Sequence, residues 1–171
     1  MKKIACLVMS AALLFVLVSG CNSSSAPTAS PSPTGEPLPE NLFSMDTVRE
    51  GEQYGAMTVS SVEKSEDYTS VKFSGEVTIS GTWSSDSSGL MGEYITLNLD
   101  EDSMAKIPAL SESDIEVVLD PVLTENKDVL TQFGPTGATG TFTITISALT
   151  VTDQEESFPR TAVLKEILDL V

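Results

Sequence analysis

Histidine is absent from this 171-residue chain, and its only two cysteines, Cys6 and Cys21, lie among the first 21 residues. Histidine is the commonest general acid or base in enzymes, and cysteine is a strong nucleophile in covalent catalysis. Zinc sites are mostly built from the same two residue types. From residue 22 onwards the sequence therefore excludes thiol and imidazole chemistry, and we expect a protein that is not an enzyme.

Basic residues are also scarce, since 9 lysines and arginines face 25 aspartates and glutamates, a formal net charge of −16. Electrostatic repulsion opposes binding to nucleic acid and to anionic lipid headgroups. We therefore expect no nucleic-acid partner. The charge is compatible with a basic partner, with divalent cations, or with an acidic surface that only keeps the domain soluble.

A hydrophobic run long enough to cross a bilayer as a permanent helix is missing. The apolar run at residues 4–18 has 15 residues, whereas a spanning helix needs about 20. It follows Lys2 and Lys3 and ends in small residues, which is the pattern of a secretory signal peptide.

The run closes on Val18-Ser19-Gly20-Cys21, which resembles the lipobox of bacterial lipoprotein precursors, with Val18 where leucine is usual. The resemblance implies that residues 1–20 are a signal peptide and that the Cys21 thiol receives a diacylglycerol. Two acyl chains suffice for stable anchoring in a lipid bilayer. The mature chain would keep 7 basic against 25 acidic residues, a net charge of −18. A secretory signal with a chance cysteine is the alternative.

Residues 21–40 consist mostly of serine, proline, threonine and alanine. Such a segment has almost nothing to bury, so we expect a disordered tether between the lipidated cysteine and a folded domain. The tether is similar to the spacers of Gram-positive lipoproteins, which favours the outer face of a Gram-positive cell membrane. Asn22 does not resemble the aspartate that retains many Gram-negative lipoproteins at the inner membrane.

The remaining residues, 41–171, fit a single domain, and their periodicity predicts its fold class. Apolar or small residues occupy the odd positions from Val71 to Trp83, and polar residues occupy the even ones. Strict alternation over such a length predicts a half-buried strand, and its two glycines predict bends or bulges. The inward parity of Trp83 favours a place in the core over a ligand-stacking platform.

Further strands follow from the same pattern. Alternation at 141–148 predicts a second clear strand, with a bulge near Ala148 where the phase slips. Weaker strands are predicted at 57–59, 95–99 and 115–119, and short helices at 103–106 and 124–132. The serine-rich residues 84–89 suggest a hairpin loop, and residues 162–171 fit a strand slightly better than a helix. The expected fold class is mainly β: a small antiparallel β-sandwich or barrel with one or two short helices.

Two acidic segments are candidate calcium ligands. Asp100-Glu101-Asp102 begins like a calcium loop, but an EF-hand needs ligands and a glycine where this chain has Met104, Ala105 and Ser111. A looser calcium site using Asp100 and Asp102 stays open, beside the simpler interpretation of a solvated turn. Asp153, Glu155 and Glu156 form a second acidic loop with less geometric information.

The S-x-x-K pattern of penicillin-recognising enzymes occurs twice, at Ser61–Lys64 and Ser103–Lys106. The companion K-T-G and S-D-N motifs are missing, so we interpret both matches as chance.

Three functions stay open at this point. The leading hypothesis is a membrane-anchored, non-catalytic domain that binds another envelope protein or a small ligand. The second is a calcium-binding or calcium-stabilised envelope module. The third is a carboxylate-based hydrolase, which would need two acidic side chains facing each other across a cleft.

Overall fold

The computed structural model describes residues 40–89, 92–112, 114–119, 127–153 and 160–171. Within these ranges no helix is both long enough and apolar enough to cross a membrane. The predictions of a signal peptide at 1–20 and of lipidation at Cys21 fall outside the described residues, as does the predicted disordered tether at 21–40 except for Glu40.

Seven strands and two short helices make up this part of the chain. The strands are β1 Gln53–Tyr54, β2 Met57–Lys64, β3 Thr69–Ser88, β4 Gly92–Leu99, β5 Glu116–Leu119, β6 Thr139–Asp153 and β7 Arg160–Leu170. The helices are α1 Glu101–Met104 and α2 Lys127–Leu130, and a 3-10 turn, Thr131–Phe133, follows α2. The predicted mainly β fold with short helices is confirmed.

The strands form one mixed, mostly antiparallel sheet in the order β1-β2-β3-β4-β5-β7-β6, with an additional pairing between β3 and β6. That last pairing joins β3, β4, β5, β7 and β6 into a closed ring of hydrogen-bonded strands. Every pair in the ring is antiparallel except β5 with β7, which is parallel. The buried apolar side chains of these strands form one core, to which Phe43, Met45 and Val48 before β1 also belong.

Strand β3 confirms the predicted alternation, because Val71, Phe73, Val77 and Ile79 are buried while the polar residues between them face outwards. The irregularity predicted at the two glycines is present at Gly75, where the register with β6 breaks between Ser74 and Val77, but it is absent at Gly81, where both registers continue. The predicted loop at 84–89 is wrong as far as Ser88. Those serines have low strand propensity, but pairing with β4 extends β3 through them, as tertiary contacts often do.

The other predicted strands are present with shifted ends. The register between β6 and β7 breaks between Ile146 and Ala148, which confirms the predicted bulge. The C-terminal segment is strand β7. Ile115, predicted to point inwards, precedes β5 and is 41% exposed. Helix α1 begins before the predicted position, and the proposed start of the second helix at Thr124 lies outside the described residues.

The core includes the single tryptophan of the chain. Trp83 is only 7% exposed, and its ring meets that of Phe133 edge-on, with 5.4 Å between the ring centroids. Edge-to-face packing of this kind is favourable beyond the area that it buries. Trp83 is therefore a core residue, and its fluorescence reports on the unfolding of the ring.

At Gly81 the backbone of β3 lies very close to that of β4. A Cβ atom added there would overlap the backbone carbonyl oxygen of Asn98. Neither strand can yield easily, because Gly81 is paired with Leu99 on one side and with Phe142 of β6 on the other. Glycine is therefore required by close packing of the backbone.

We predict that Gly81→Ala lowers the free energy of unfolding by about 1–3 kcal/mol or more, the usual cost of overpacking. Urea unfolding followed by Trp83 fluorescence measures the loss. Gly89→Ala is the matched control, since a Cβ at Gly89 would meet no atom within 4 Å. Equal stability of the two variants would contradict this account of the β3–β4 approach.

Candidate functional site

The first described residues form a short lead-in segment, residues 40–43, that is tied to the loop after α1. The Phe43 amide donates to the carbonyl oxygen of Ala109 at 3.0 Å, and the Ala109 amide donates to that of Asn41 at 3.0 Å. The Asn41 side chain donates to the carbonyl oxygens of Met104 and Ile107 at 2.8 and 3.1 Å. The amide of one side chain thus satisfies two carbonyl groups near the end of a helix, where acceptors lack helical partners.

An aromatic cluster fixes the end of the lead-in segment to the core. Phe43 packs against Phe73 with ring centroids 5.0 Å apart, and against Tyr54 with centroids 5.6 Å apart. The Tyr54 hydroxyl donates to Glu52 at 3.0 Å. Burial and this negatively charged acceptor together raise the pKa of Tyr54. The cluster therefore determines where the chain enters the domain.

A groove of about 350 Å³ lies between the lead-in segment and residues 101–114. Its apolar lining comes from Leu42, Met104, Ala105 and Ala109, and its polar lining from Glu40, Asn41, Glu101, Ser111, Glu112 and Asp114. We call it the acidic groove. It combines a patch of hydrocarbon with four carboxylates, and among the described residues no basic side chain belongs to its lining.

Asp114 organises the loop on one side of the acidic groove. Its carboxylate accepts the backbone amides of Leu110 and Ser111 at 2.7 and 3.0 Å and the Ser111 hydroxyl at 3.2 Å. The Asp114 amide in turn donates to the Ser111 carbonyl oxygen at 3.2 Å. An aspartate that binds nearby backbone amides stabilises a tight turn. The turn holds Ser111, Glu112 and Asp114 at the groove.

Arg160, the first residue of β7, lies beneath this loop and is only 4% exposed. Its Nη1 donates to the Pro108 carbonyl oxygen at 3.1 Å, whereas its Nη2 has no hydrogen-bond partner within the described residues. Burial lowers the pKa of Arg160 to about 10, and the charge of Asp114 acts in the opposite direction. The guanidinium therefore keeps its positive charge at neutral pH.

The predicted calcium ligand Asp100 has a clear role in the local structure. Its Oδ1 accepts the backbone amide of Ser103 at 2.8 Å, so Asp100 is the N-cap of helix α1. Hydrogen bonds from Ser103 lower the pKa of Asp100. Asp102 is exposed in the first turn of the same helix.

In the ranges that the structure describes, no three acidic side chains come together as a metal site. Asp153 ends β6, and Glu155 and Glu156 lie outside the described residues. Calcium binding by Asp100 and Asp102 stays a prediction.

The serines of the two S-x-x-K matches lie in different environments. Ser103 is 1% exposed, and its hydroxyl accepts the backbone amide of Ser80 at 2.8 Å. Ser61 lies on the exposed side of β2, where Lys64 contacts the Asp46 carbonyl oxygen at 3.4 Å. Ser103 therefore connects α1 to β3, which is a structural role.

No protein-family model, curated protein or solved structure matches the chain. Arguments about function therefore depend on the geometry of the acidic groove. Sequence reasoning missed Asn41, Arg160 and the groove itself. The sequence held one indication of this role for Arg160, which is in phase with the apolar residues Ala162 and Leu164. A charged residue at such a core-facing position usually has a specific partner.

We predict that Asp100→Ala lowers the free energy of unfolding by about 1 kcal/mol at neutral pH, the usual cost of losing an N-cap. The loss of unfolding free energy should be the same with and without millimolar calcium, because the carboxylate caps helix α1. Thermal unfolding in both buffers measures it. Asp100→Asn, which keeps a capping oxygen, is the control. A loss that appears only in calcium would contradict the capping role and support the calcium prediction.

The same variant has a defined pH dependence. Because the folded-state pKa of Asp100 is lowered, the charged carboxylate stabilises the fold above its unfolded pKa of about 3.9, and this contribution is lost as the pH falls through the folded pKa. The stability difference between the wild-type chain and Asp100→Ala should therefore narrow below about pH 4.

Proposed function

We propose that this chain is a lipid-anchored extracytoplasmic protein whose β domain is a non-catalytic interaction module. The observation that carries the proposal is the order of segments along the chain. A lipobox ending at Cys21 precedes a serine- and proline-rich spacer, and the lead-in segment that follows is tied to the ring by Asn41 and Phe43. Lipidation at Cys21 places the domain at the membrane surface, and the acidic surface opposes its adhesion to anionic lipid.

The lipidation has a direct test because the chain contains a matched control cysteine. Cells expressing the full chain should incorporate labelled palmitate into it, and Cys21→Ala should abolish both the labelling and the recovery of the protein with membranes. Cys6→Ala, which lies within the predicted signal peptide, should change neither. Labelling that survives Cys21→Ala would contradict the proposed anchor.

The acidic groove is the surface that best supports an interaction function. A lysine or arginine side chain has a hydrocarbon stem and a cationic head, and it buries the stem along apolar surface while the head stays near water. The lining offers apolar surface from Leu42, Met104 and Ala109 and carboxylates from Glu101 and Glu112. We therefore propose that the partner is another envelope protein that presents a basic peptide segment.

The chain as a whole supports the same choice of partner. With 25 acidic and 9 basic residues, its field attracts a cationic segment over a distance of about 10 Å at 0.1 M salt. Shape and apolar contact at the groove would then decide where the segment docks. Electrostatic attraction of this kind speeds association more than it adds affinity.

We predict that hexalysine binds the full chain, purified in detergent, and that Glu101→Gln combined with Glu112→Gln weakens this binding about twofold to thirtyfold. The magnitude follows from about 0.2–1 kcal/mol for each exposed ion pair. Isothermal titration calorimetry at two salt concentrations measures the effect.

The control removes the same amount of charge elsewhere. Glu166 and Asp169 are exposed on β7 and do not line the acidic groove. Glu166→Gln combined with Asp169→Asn should leave the affinity for hexalysine within about twofold of the wild-type value, since distant exposed charges are largely screened. Equal weakening by the two double variants would mean that net charge alone attracts the peptide, which contradicts docking in the groove.

A further inference from the structure

We infer that Arg160 is the positioning residue of the acidic groove: from inside the domain it holds the loop that carries the groove's lining at 109–114. The inference rests on the proposed function of the groove for its consequence in binding. Its structural part depends only on the contacts of Arg160, so the two parts can be tested separately.

The guanidinium of Arg160 is held in place by strand β7, which carries it. Arg160 begins β7 and pairs with Val117 of β5 at the one parallel contact of the ring. From there its Nη1 reaches the Pro108 carbonyl oxygen, 52 positions away in sequence, at 3.1 Å. A side chain that is fixed in a strand and almost fully buried has few alternative rotamers, so it holds this carbonyl group at a fixed place.

Pro108 lies in a segment whose backbone is hydrogen-bonded from two sides. Ile107 and Ala109 are 0% and 4% exposed, and the lead-in segment binds the backbone of both through Asn41. Arg160 binds the carbonyl group of the residue between them. The segment 107–109 is therefore fixed between the lead-in segment and the ring.

The segment 107–109 continues directly into the loop that lines the groove. Directly after Ala109, the amides of Leu110 and Ser111 donate to Asp114, which lines the groove together with Ser111. The negative charge of Asp114 also acts on Arg160. The position of the Asp114 carboxylate is thus determined through the backbone from Pro108, whose carbonyl group Arg160 binds.

A contribution to the stability of the fold does not explain why position 160 is an arginine. Its burial removes a cation from water, and within the described residues its Nη2 gains no hydrogen bond in return. A buried charge with few hydrogen bonds is costly, and whole buried ion pairs can often be replaced by apolar side chains of similar volume without loss of stability. Lysine is not equivalent, because it lacks the planar fork and holds water more strongly. The arrangement is instead suited to holding a loop in one place.

The test compares Arg160→Met and Arg160→Lys with Lys165→Met in the full chain, purified in detergent. Lys165 lies on the same strand, and its exposed side chain forms an ion pair with Glu76, so its replacement changes the same charge without touching the loop. Hydrogen exchange of the Leu110 and Ser111 amides is the first measurement, with the Ile144 and Ile146 amides of β6 as reference for global stability.

We expect exchange at Leu110 and Ser111 to become about tenfold faster in Arg160→Met and to be intermediate in Arg160→Lys, while the β6 amides keep their protection. Lys165→Met should change neither pair. If Leu110 and Ser111 exchange at the wild-type rate in both Arg160 variants, the positioning role is wrong. If Arg160→Met fails to fold, the conservative variant Arg160→Lys decides by the same comparison.

Affinity for hexalysine is the second measurement. We expect Arg160→Met to weaken binding about threefold or more relative to Lys165→Met, although removing a cation would by itself favour a cationic peptide. Stronger binding by Arg160→Met would mean that Arg160 acts only through its charge, which overturns the inference. If the wild-type chain does not bind hexalysine, the proposed function of the groove fails, and the exchange data still decide the positioning role.

Discussion

The pairing of β3 with β6 is the constraint on which the rest of the structure depends. Strand β3 is hydrogen-bonded along both edges, to β2 and then β4 on one edge and to β6 on the other. Because β6 is connected to β4 through β7 and β5, the pairing of β3 with β6 closes the ring of strands. The loop after β4, which lines the acidic groove together with the lead-in segment, and the start of β7, which contacts that loop through Arg160, are consequently brought to the same end of the ring.

The outer surface of the β3–β6 pair illustrates how this chain stabilises long strands without disulfides in the described domain. Hydroxyl groups face each other across the two strands, with Thr78 and Thr145 at 3.2 Å and Ser80 and Thr143 at 3.2 Å. Such cross-strand pairs each contribute about 0.2–1 kcal/mol. Stabilisation of the sheet therefore accounts for the hydroxyl-bearing residues on this surface. Three of the four carboxylates of the acidic groove, those of Glu40, Glu112 and Asp114, lie instead in loops, where binding residues are concentrated in proteins generally.

Local patterns in the sequence predicted the features that depend on neighbouring residues. The alternation at 71–83, the phase slip near Ala148 and the mainly β class all follow from a period of two. Features built by contacts between distant residues could not be predicted. Residues 84–88 extend strand β3 because β4 lies beside them, and the Asn41 side chain donates to carbonyl oxygens 63 and 66 positions away. The groove and the contact of Arg160 with Pro108 belong to the same group.

Connectivity does not by itself define the function. The ring has a single parallel pair of strands, and folds that share one connectivity can carry many unrelated functions. Function has to be argued from the site, and here the site combines an apolar patch, four carboxylates and a loop that is held by a buried guanidinium.

The most direct measurement is a map of the amide chemical shifts of the isotopically labelled full chain in detergent during titration with hexalysine. The account predicts that the shifts concentrate at residues 41–43 and 104–112 and change little on the hydroxyl-bearing surface of β3 and β6. Shifts spread evenly over the acidic surface of the domain, or centred on another region, would contradict docking in the acidic groove.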